Sequence, residues 1–141
     1  MAVCVSTGVA IWYGQADGTL IGGAILPLGS SPRGVVCADF DEDGVQDLAV
    51  ASANTNSVVI ARGNGANGVP DGTFAAGVTY AAGTAPARLV AGDWNGDGIL
   101  DLAVANNSSA SVSILRGLGA GARGDGTFAP AGNVASMRAR T

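Results

Sequence analysis

A chain of 141 residues with seven Arg, no Lys, no His and a net charge of -4 presents no basic patch for phosphate, which argues against nucleic acid as a partner. With no His and only two Cys, imidazole acid–base catalysis and Cys/His metal sites are also missing from the repertoire. Hydrophobic residues make up 48% of the chain and 23 residues are Gly, so it can bury a core but must interrupt it with many turns.

Short runs rich in Val, Ile and Ala, bounded by Gly, Asn, Asp and Ser, read as strands from the first residues onward. The predicted strands are AVCVS (2–6), VAIWYG (9–14), TLIGGAIL (19–26), GVVCADF (34–40), DLAVAS (47–52), SVVIARG (57–63) and TFAAGVTY (73–80). They continue with RLVAGDW (88–94), DLAVAN (101–106), SVSILRG (111–117) and TFAPAGNV (127–134). No segment keeps a 3.6-residue apolar period, so no helix is expected. No apolar run approaches the roughly 18 residues of a membrane span, and MAVCVSTG lacks the charged start of a signal peptide. Cys4 and Cys37 fall within apolar runs and are expected to be buried small side chains.

The strands repeat. DGT occurs at 17–19, 71–73 and 125–127, each 54 residues from the last, and the same offset relates Gly29 to Gly83, Pro32 to Pro86 and SVVIARG to SVSILRG. Four antiparallel strands recurring about every 50 residues are the signature of a β-propeller blade. The expected fold is therefore all-β, with about two and three-quarter blades: a partial blade at 1–29 and full blades at 30–83 and 84–141. Because a propeller closes with at least about four blades, the chain must associate with copies of itself, belong to a longer propeller or form an open stack. Of these, association into a homo-oligomer that completes the ring is the favoured expectation, since open strand edges otherwise invite uncontrolled pairing.

Acid is concentrated in two places. Eight of the eleven acidic residues lie in DFDEDGVQD (39–47) and DWNGDGILD (93–101), again 54 residues apart. In the first loop Asp39, Asp41, Asp43 and Asp47 stand at positions 1, 3, 5 and 9, with Gly44 at position 6. Alternate residues of a tight turn can point inward together, and the Gly permits the positive φ that wraps the chain around a centre. Hard oxygens at this spacing suit Ca²⁺, with Asp39, Asp41, Asp43, Asp47 and the Val45 carbonyl as ligands. In the second loop the corresponding set is Asp93, Asn95, Asp97, Asp101 and the Ile99 carbonyl. Two Ca²⁺ per chain would bring the formal charge from -4 to zero. The loop opens like an EF-hand, but position 12 is Val50 or Val104 in place of the bidentate Glu, and the flanks are strands.

A strand, then DxDxDGxxD, then a DLAV strand and a DGTF turn resembles the FG-GAP repeats of integrin α-subunit propellers and of secreted bacterial and fungal propellers. The resemblance implies a cation in the hairpin between the first and second strands of a blade, and an extracellular or secreted setting. It places the chain among non-enzymatic calcium-binding modules with a structural or adhesive role, acting on a protein or glycan partner. The alternative function is a lectin with sites between blades.

Phe40 and Trp94 share loop position 2, where an aromatic packs against the blade face, and Trp12 and Trp94 are also candidate residues for stacking a sugar. Arg62 and Arg116 recur at one strand end and are expected to pair with loop acids, and the DGT triplets are expected to form tight hairpin turns.

Overall fold

The structure, a computed structural model, describes residues 1–134 and contains fifteen strands and no helix among them. The remainder of the last predicted unit, 135–141, lies outside the described residues. In chain order the strands are β1 (Ala2–Val5), β2 (Gly8–Gly14), β3 (Leu20–Leu26), β4 (Pro32–Ala38), β5 (Asp47–Ser52), β6 (Ser57–Ala61), β7 (Gly63–Ala66) and β8 (Val69–Phe74). They are followed by β9 (Val78–Ala81), β10 (Pro86–Gly92), β11 (Asp101–Asn106), β12 (Ser111–Leu115), β13 (Gly117–Ala120), β14 (Arg123–Phe128) and β15 (Gly132–Val134).

Two four-stranded antiparallel sheets, β4-β5-β6-β9 and β10-β11-β12-β15, have the same order, and β1-β2-β3 forms a three-stranded sheet before them. No sheet closes on itself, as expected of propeller blades that are stacked side by side. The first strands of successive sheets are neighbours: β4 lies against β10 on one side and against β1 on the other.

The stacking explains the run of apolar residues in DLAV. Every residue of β5 and β6 is buried, because each face of that sheet meets a different neighbour. On one face Leu48, Val50, Val59 and Ala61 pack with Val9 and Ile11 of the N-terminal sheet. On the other, Ala49, Ala51, Val58 and Ile60 join Leu89, Leu102, Val104 and Leu115 of the next sheet. Neighbouring residues of one strand therefore serve two separate cores, and no polar face is left.

Three expectations need correction. The strand predicted at 73–80 is two elements: β8 ends at Phe74 and turns back on β7, while β9 begins at Val78 and completes the sheet beside β6. A second small hairpin, β13–β14, stands at the equivalent place in the next unit. The reversals fall at Asn67-Gly68 and Gly121-Ala122, all with positive φ, and not at the DGT triplets of 71 and 125, which lie within strands; only Asp17-Gly18-Thr19 sits at a hairpin turn. What DGT does form in all three copies is a local turn. The Asp Oδ1 accepts both the N–H and the hydroxyl of the Thr two residues on, at 2.5 to 2.9 Å. Finally, Cys37 is exposed and Cys4 half-buried; β4 is an edge strand of its sheet, and Arg33 and Cys37 are its two exposed residues.

Candidate metal centre

Each acidic loop joins the first and second strands of a blade: 39–46 links β4 to β5, and 93–100 links β10 to β11. Gly44 and Gly98, at loop position 6, have φ of 89° and 84°, the left-handed conformation expected from the sequence. The adjoining hairpins brace the loops at the same point. A Cβ on Gly44 would lie 2.8 Å from the Cα of Gly68 in the β7–β8 turn, and one on Gly98 would lie 3.0 Å from the Ala122 Cβ in the β13–β14 turn.

In the first loop, Asp39, Asp41 and Asp43 bring one carboxylate oxygen each to within 4.8 Å of one another. Backbone amides aim them. The Asp43 N–H donates to Asp39 Oδ1 at 3.1 Å, the Gly44 N–H to Asp39 Oδ2 at 2.9 Å, and the Val45 N–H to Asp43 Oδ1 at 2.8 Å. Asp41 and Asp43 border an open pocket of 350 Å³ that also contains Arg62 and Asp71, which leaves the cluster accessible from solvent.

The second loop repeats this arrangement. The Gly96 and Gly98 amides donate to the two oxygens of Asp93 at 2.8 Å, and the Ile99 N–H donates to Asp97 Oδ1 at 2.9 Å. Asn95 takes the place of Asp41, accepting the Asp97 N–H at 3.1 Å and donating to Asp97 Oδ2 at 3.1 Å. At the candidate ligand positions the second loop thus offers one carboxylate fewer, and over the whole loop, with Gly96 in place of Glu42, two fewer charges.

Asp47 and Asp101 stand apart from these clusters as the buried pillars of each loop. The Phe40 N–H donates to Asp47 Oδ2 at 2.8 Å and the Gly63 N–H to Oδ1 at 2.9 Å. Asp101 does the same with the Trp94 N–H at 3.2 Å and the Gly117 N–H at 2.9 Å. One carboxylate ties the loop's entry to the strand end two strands away, and each oxygen still has a lone pair for a cation. Burial pushes the Asp47 carboxyl up to about 6; the Gly63 and Phe40 amides oppose the shift, and the charges of Asp41 and Asp39 add to it.

The sign of the pH effect follows. A carboxyl raised in the folded state takes up its proton more readily there than in the unfolded chain, so metal-free protein should become more stable as pH falls from 7 towards 5. Asp17, Asp71 and Asp125 act oppositely at lower pH. The Thr two residues on donates to each from its hydroxyl and its N–H, holding the carboxyl below its usual value, so their contribution is lost below about pH 4. Thermal melts in EDTA should therefore show a higher melting temperature at pH 5 than at pH 7, followed by a fall on further acidification.

A set of oxygens that is hard, anionic and clustered by backbone amides fits a Ca²⁺-type cation, and among the described residues no soft or imidazole ligand joins the cluster. The family model of the FG-GAP-like repeat matches residues 43–104. This chain carries an FG-GAP-like repeat. The matched segment begins inside the first loop and runs through the whole of the second, so the repeat and the acidic hairpins coincide. No curated protein and no solved structure matches the chain.

Around the FG-GAP loops, three features went beyond the sequence reading. Glu42, at φ 56°, accepts the Gly124 N–H at 3.0 Å through its side chain and the Arg123 guanidinium at 2.8 Å through its carbonyl, which fastens the first loop to the β13–β14 hairpin of the next blade. Its place in the second loop is Gly96, and an acid opposite a Gly was the available signal. Arg62 pairs with Asp41 at 3.2 Å, as expected, and also reaches the Asp125 carbonyl at 3.4 Å; Arg116 forms no ion pair among the described residues. Phe40 is 3% exposed and packs edge-on against Phe128, with ring centroids 5.4 Å apart, whereas Trp94 at the equivalent position is 52% exposed. Trp12, half-exposed on β2, lies in a different blade from Trp94.

Proposed function

We propose that the chain is a calcium-binding, non-enzymatic interaction module, in which one Ca²⁺ per acidic loop fixes the hairpin between the first and second strands of a blade and so presents the loop surface to a partner. The convergence of the Asp39, Asp41 and Asp43 oxygens carries this reading, because three carboxylates this close repel one another unless a cation lies among them. Asp39, Asp41, Asp43, Asp47 and the Val45 carbonyl would hold the first ion, and Asp93, Asn95, Asp97, Asp101 and the Ile99 carbonyl the second. The cation supplies charge neutralisation and shape, and no chemistry on a substrate. The acids are engaged in the loops and the DGT turns, and no His is present to serve as a general base, which favours binding over catalysis.

With no bidentate Glu at position 12, the sites suit the millimolar calcium outside cells, in keeping with an extracellular setting. The partner is a protein or a glycan presented to the loop face. Among the described residues no helix is long and apolar enough to cross a membrane.

Calorimetric titration with CaCl₂ together with elemental analysis should find two Ca²⁺ per chain. Asp43→Ala and Asp97→Ala should each remove one. Protein that carries no metal after dialysis against calcium would overturn the proposal, and two ions retained in either variant would overturn the ligand assignment.

A further inference from the structure

The two acidic loops differ at a pair of adjacent positions: where the first has Asp41-Glu42, the second has Asn95-Gly96. The exchange removes two carboxylates and creates a reactive dipeptide. An Asn followed by Gly is open to attack of the next main-chain nitrogen on the side-chain amide, because Gly has no Cβ to hinder the approach. The chain holds two further such pairs, Asn64-Gly65 and Asn67-Gly68, so the surroundings of each decide which one reacts.

At Asn95 the loop supplies what the attack requires. The nucleophile is the Gly96 nitrogen, and its N–H donates at 2.8 Å to Asp93 Oδ1, a carboxylate oxygen placed to receive the proton that the nitrogen must give up. The oxygen that gains charge is Asn95 Oδ1, and the Asp97 N–H donates to it at 3.1 Å. That bond, together with the one from Asn95 Nδ2 to Asp97 Oδ2 at 3.1 Å, fixes which end of the amide is oxygen and which is nitrogen. Asn95 and Gly96 are exposed, and a Cβ on Gly96 would meet nothing within 4 Å, so water can enter and ammonia can leave. Among the described residues the other two pairs lack this arrangement. Asn64 Nδ2 donates to Thr73 Oγ1 at 2.9 Å, Asn67 makes no side-chain hydrogen bond, and no side chain accepts the Gly65 or Gly68 N–H.

We propose that Asn95-Gly96 is a self-modification site, at which the chain exchanges the Asn95 amide for a carboxylate. The Gly96 nitrogen passes its proton to Asp93 and bonds to Asn95 Cγ. The Cγ–Nδ2 bond then breaks, and the Nδ2 amino group takes up that proton and leaves as ammonia. A cyclic imide remains, closed through the Gly96 nitrogen, and a water molecule opens it. Opening at Cγ gives Asp in place of Asn95, and opening at the main-chain carbonyl gives an isoaspartyl link. Overall a water is consumed and an ammonia released, with no oxidant or reductant. The Asp product stands where Asp41 stands in the first loop, so the second loop acquires the counterpart of the Asp39, Asp41 and Asp43 set. The modification itself needs no cation; only its consequence for calcium rests on the proposed function.

Incubation of the whole chain in EDTA at neutral pH, followed by tryptic cleavage and fragmentation mass spectrometry, reads the site directly. The mass change from amide to acid should appear in the Leu89–Arg116 peptide and map to position 95. It should run about tenfold or more ahead of Asn64 and Asn67 in the Gly63–Arg88 peptide, the rate that a charge-assisted hydrogen bond to a reacting atom is worth. Asp93→Asn, at an exposed position, should slow the reaction by a similar factor, and Gly96→Ala should slow it as well. Modification of Asn64 or Asn67 ahead of Asn95, or an unchanged rate in Asp93→Asn, would overturn the proposal. The Asn95→Asp variant carries the Asp product from the start, and calorimetric titration with CaCl₂ should find its second site about tenfold tighter than in wild type, because affinity in such loops rises with the number of ligand charges. An Asn95→Asp chain that binds calcium no more tightly, beside a wild type that still modifies at position 95, would refute calcium in the second loop and leave the self-modification standing.

Discussion

Removing calcium with EDTA should lower the melting temperature by roughly 8 °C for each site that had been saturated, and by about twice that when both are emptied. The size follows from mass action. A ligand that binds only the folded chain, at a free concentration a hundredfold above its dissociation constant, stabilises it by about 2.7 kcal/mol. For a domain of this size, each kcal/mol moves the midpoint by about 3 °C. The structure gives the reason the unfolded chain competes poorly. In the folded state Asp39, Asp41 and Asp43 are held together by backbone amides of their own loop and by the β7–β8 turn packed against Gly44. Unfolding releases all of these constraints, so the site exists only in the folded chain. Differential scanning calorimetry at fixed pH, with CaCl₂ restored after EDTA, measures the shift. Mg²⁺ should restore less, because it requires a stricter octahedron and keeps its waters. Identical melts in calcium and in EDTA would sink the metal assignment.

The loops could be read from the sequence because their geometry is local. Five candidate oxygens within nine residues, with a Gly where the backbone takes positive φ, form a pattern visible in a short window, and the in-register second copy argued against chance. The strands were legible for a similar reason, since the same apolar tetrapeptide LAVA recurred between polar turns. The β7–β8 and β13–β14 hairpins were not. Their sequences GNGA and GLGA carry no apolar alternation, and they pair because Gly leaves room: a Cβ on Gly65 would lie 2.2 Å from the Val69 carbonyl, and one on Gly119 would lie 1.9 Å from that of Arg123. Equally hidden was the grip of Glu42 on Gly124, between residues 82 positions apart. Asp47 shows the limit most clearly. Its spacing marks it as a ligand, but its two bonds to the Phe40 and Gly63 amides make it a structural element in its own right, and only the fold reveals the second role.

That double role gives the last prediction, in which two carboxylates of one loop should behave differently in EDTA. Asp47 has 0% exposure, and its removal would leave the amides of Phe40 and Gly63 without acceptors in a buried setting. Each orphaned donor costs about 1–3 kcal/mol, so Asp47→Ala should destabilise the protein by about 2–6 kcal/mol even when no calcium is present. Asp101→Ala should do likewise, since Asp101 serves the Trp94 and Gly117 amides and is 2% exposed. Asp43, by contrast, is exposed and lies in a cluster of like charges, so its loss in EDTA removes repulsion along with one bond to the Val45 amide. Asp43→Ala should be near neutral without calcium and should fail to gain the calcium-dependent stabilisation of its loop. Urea denaturation of the three variants and the wild type, each in EDTA and in CaCl₂, separates the two effects. If Asp47→Ala and Asp43→Ala lost the same stability in EDTA, Asp47 could not be the buried tie between the loop and the end of β6, and the loop would owe its shape to its own turn alone.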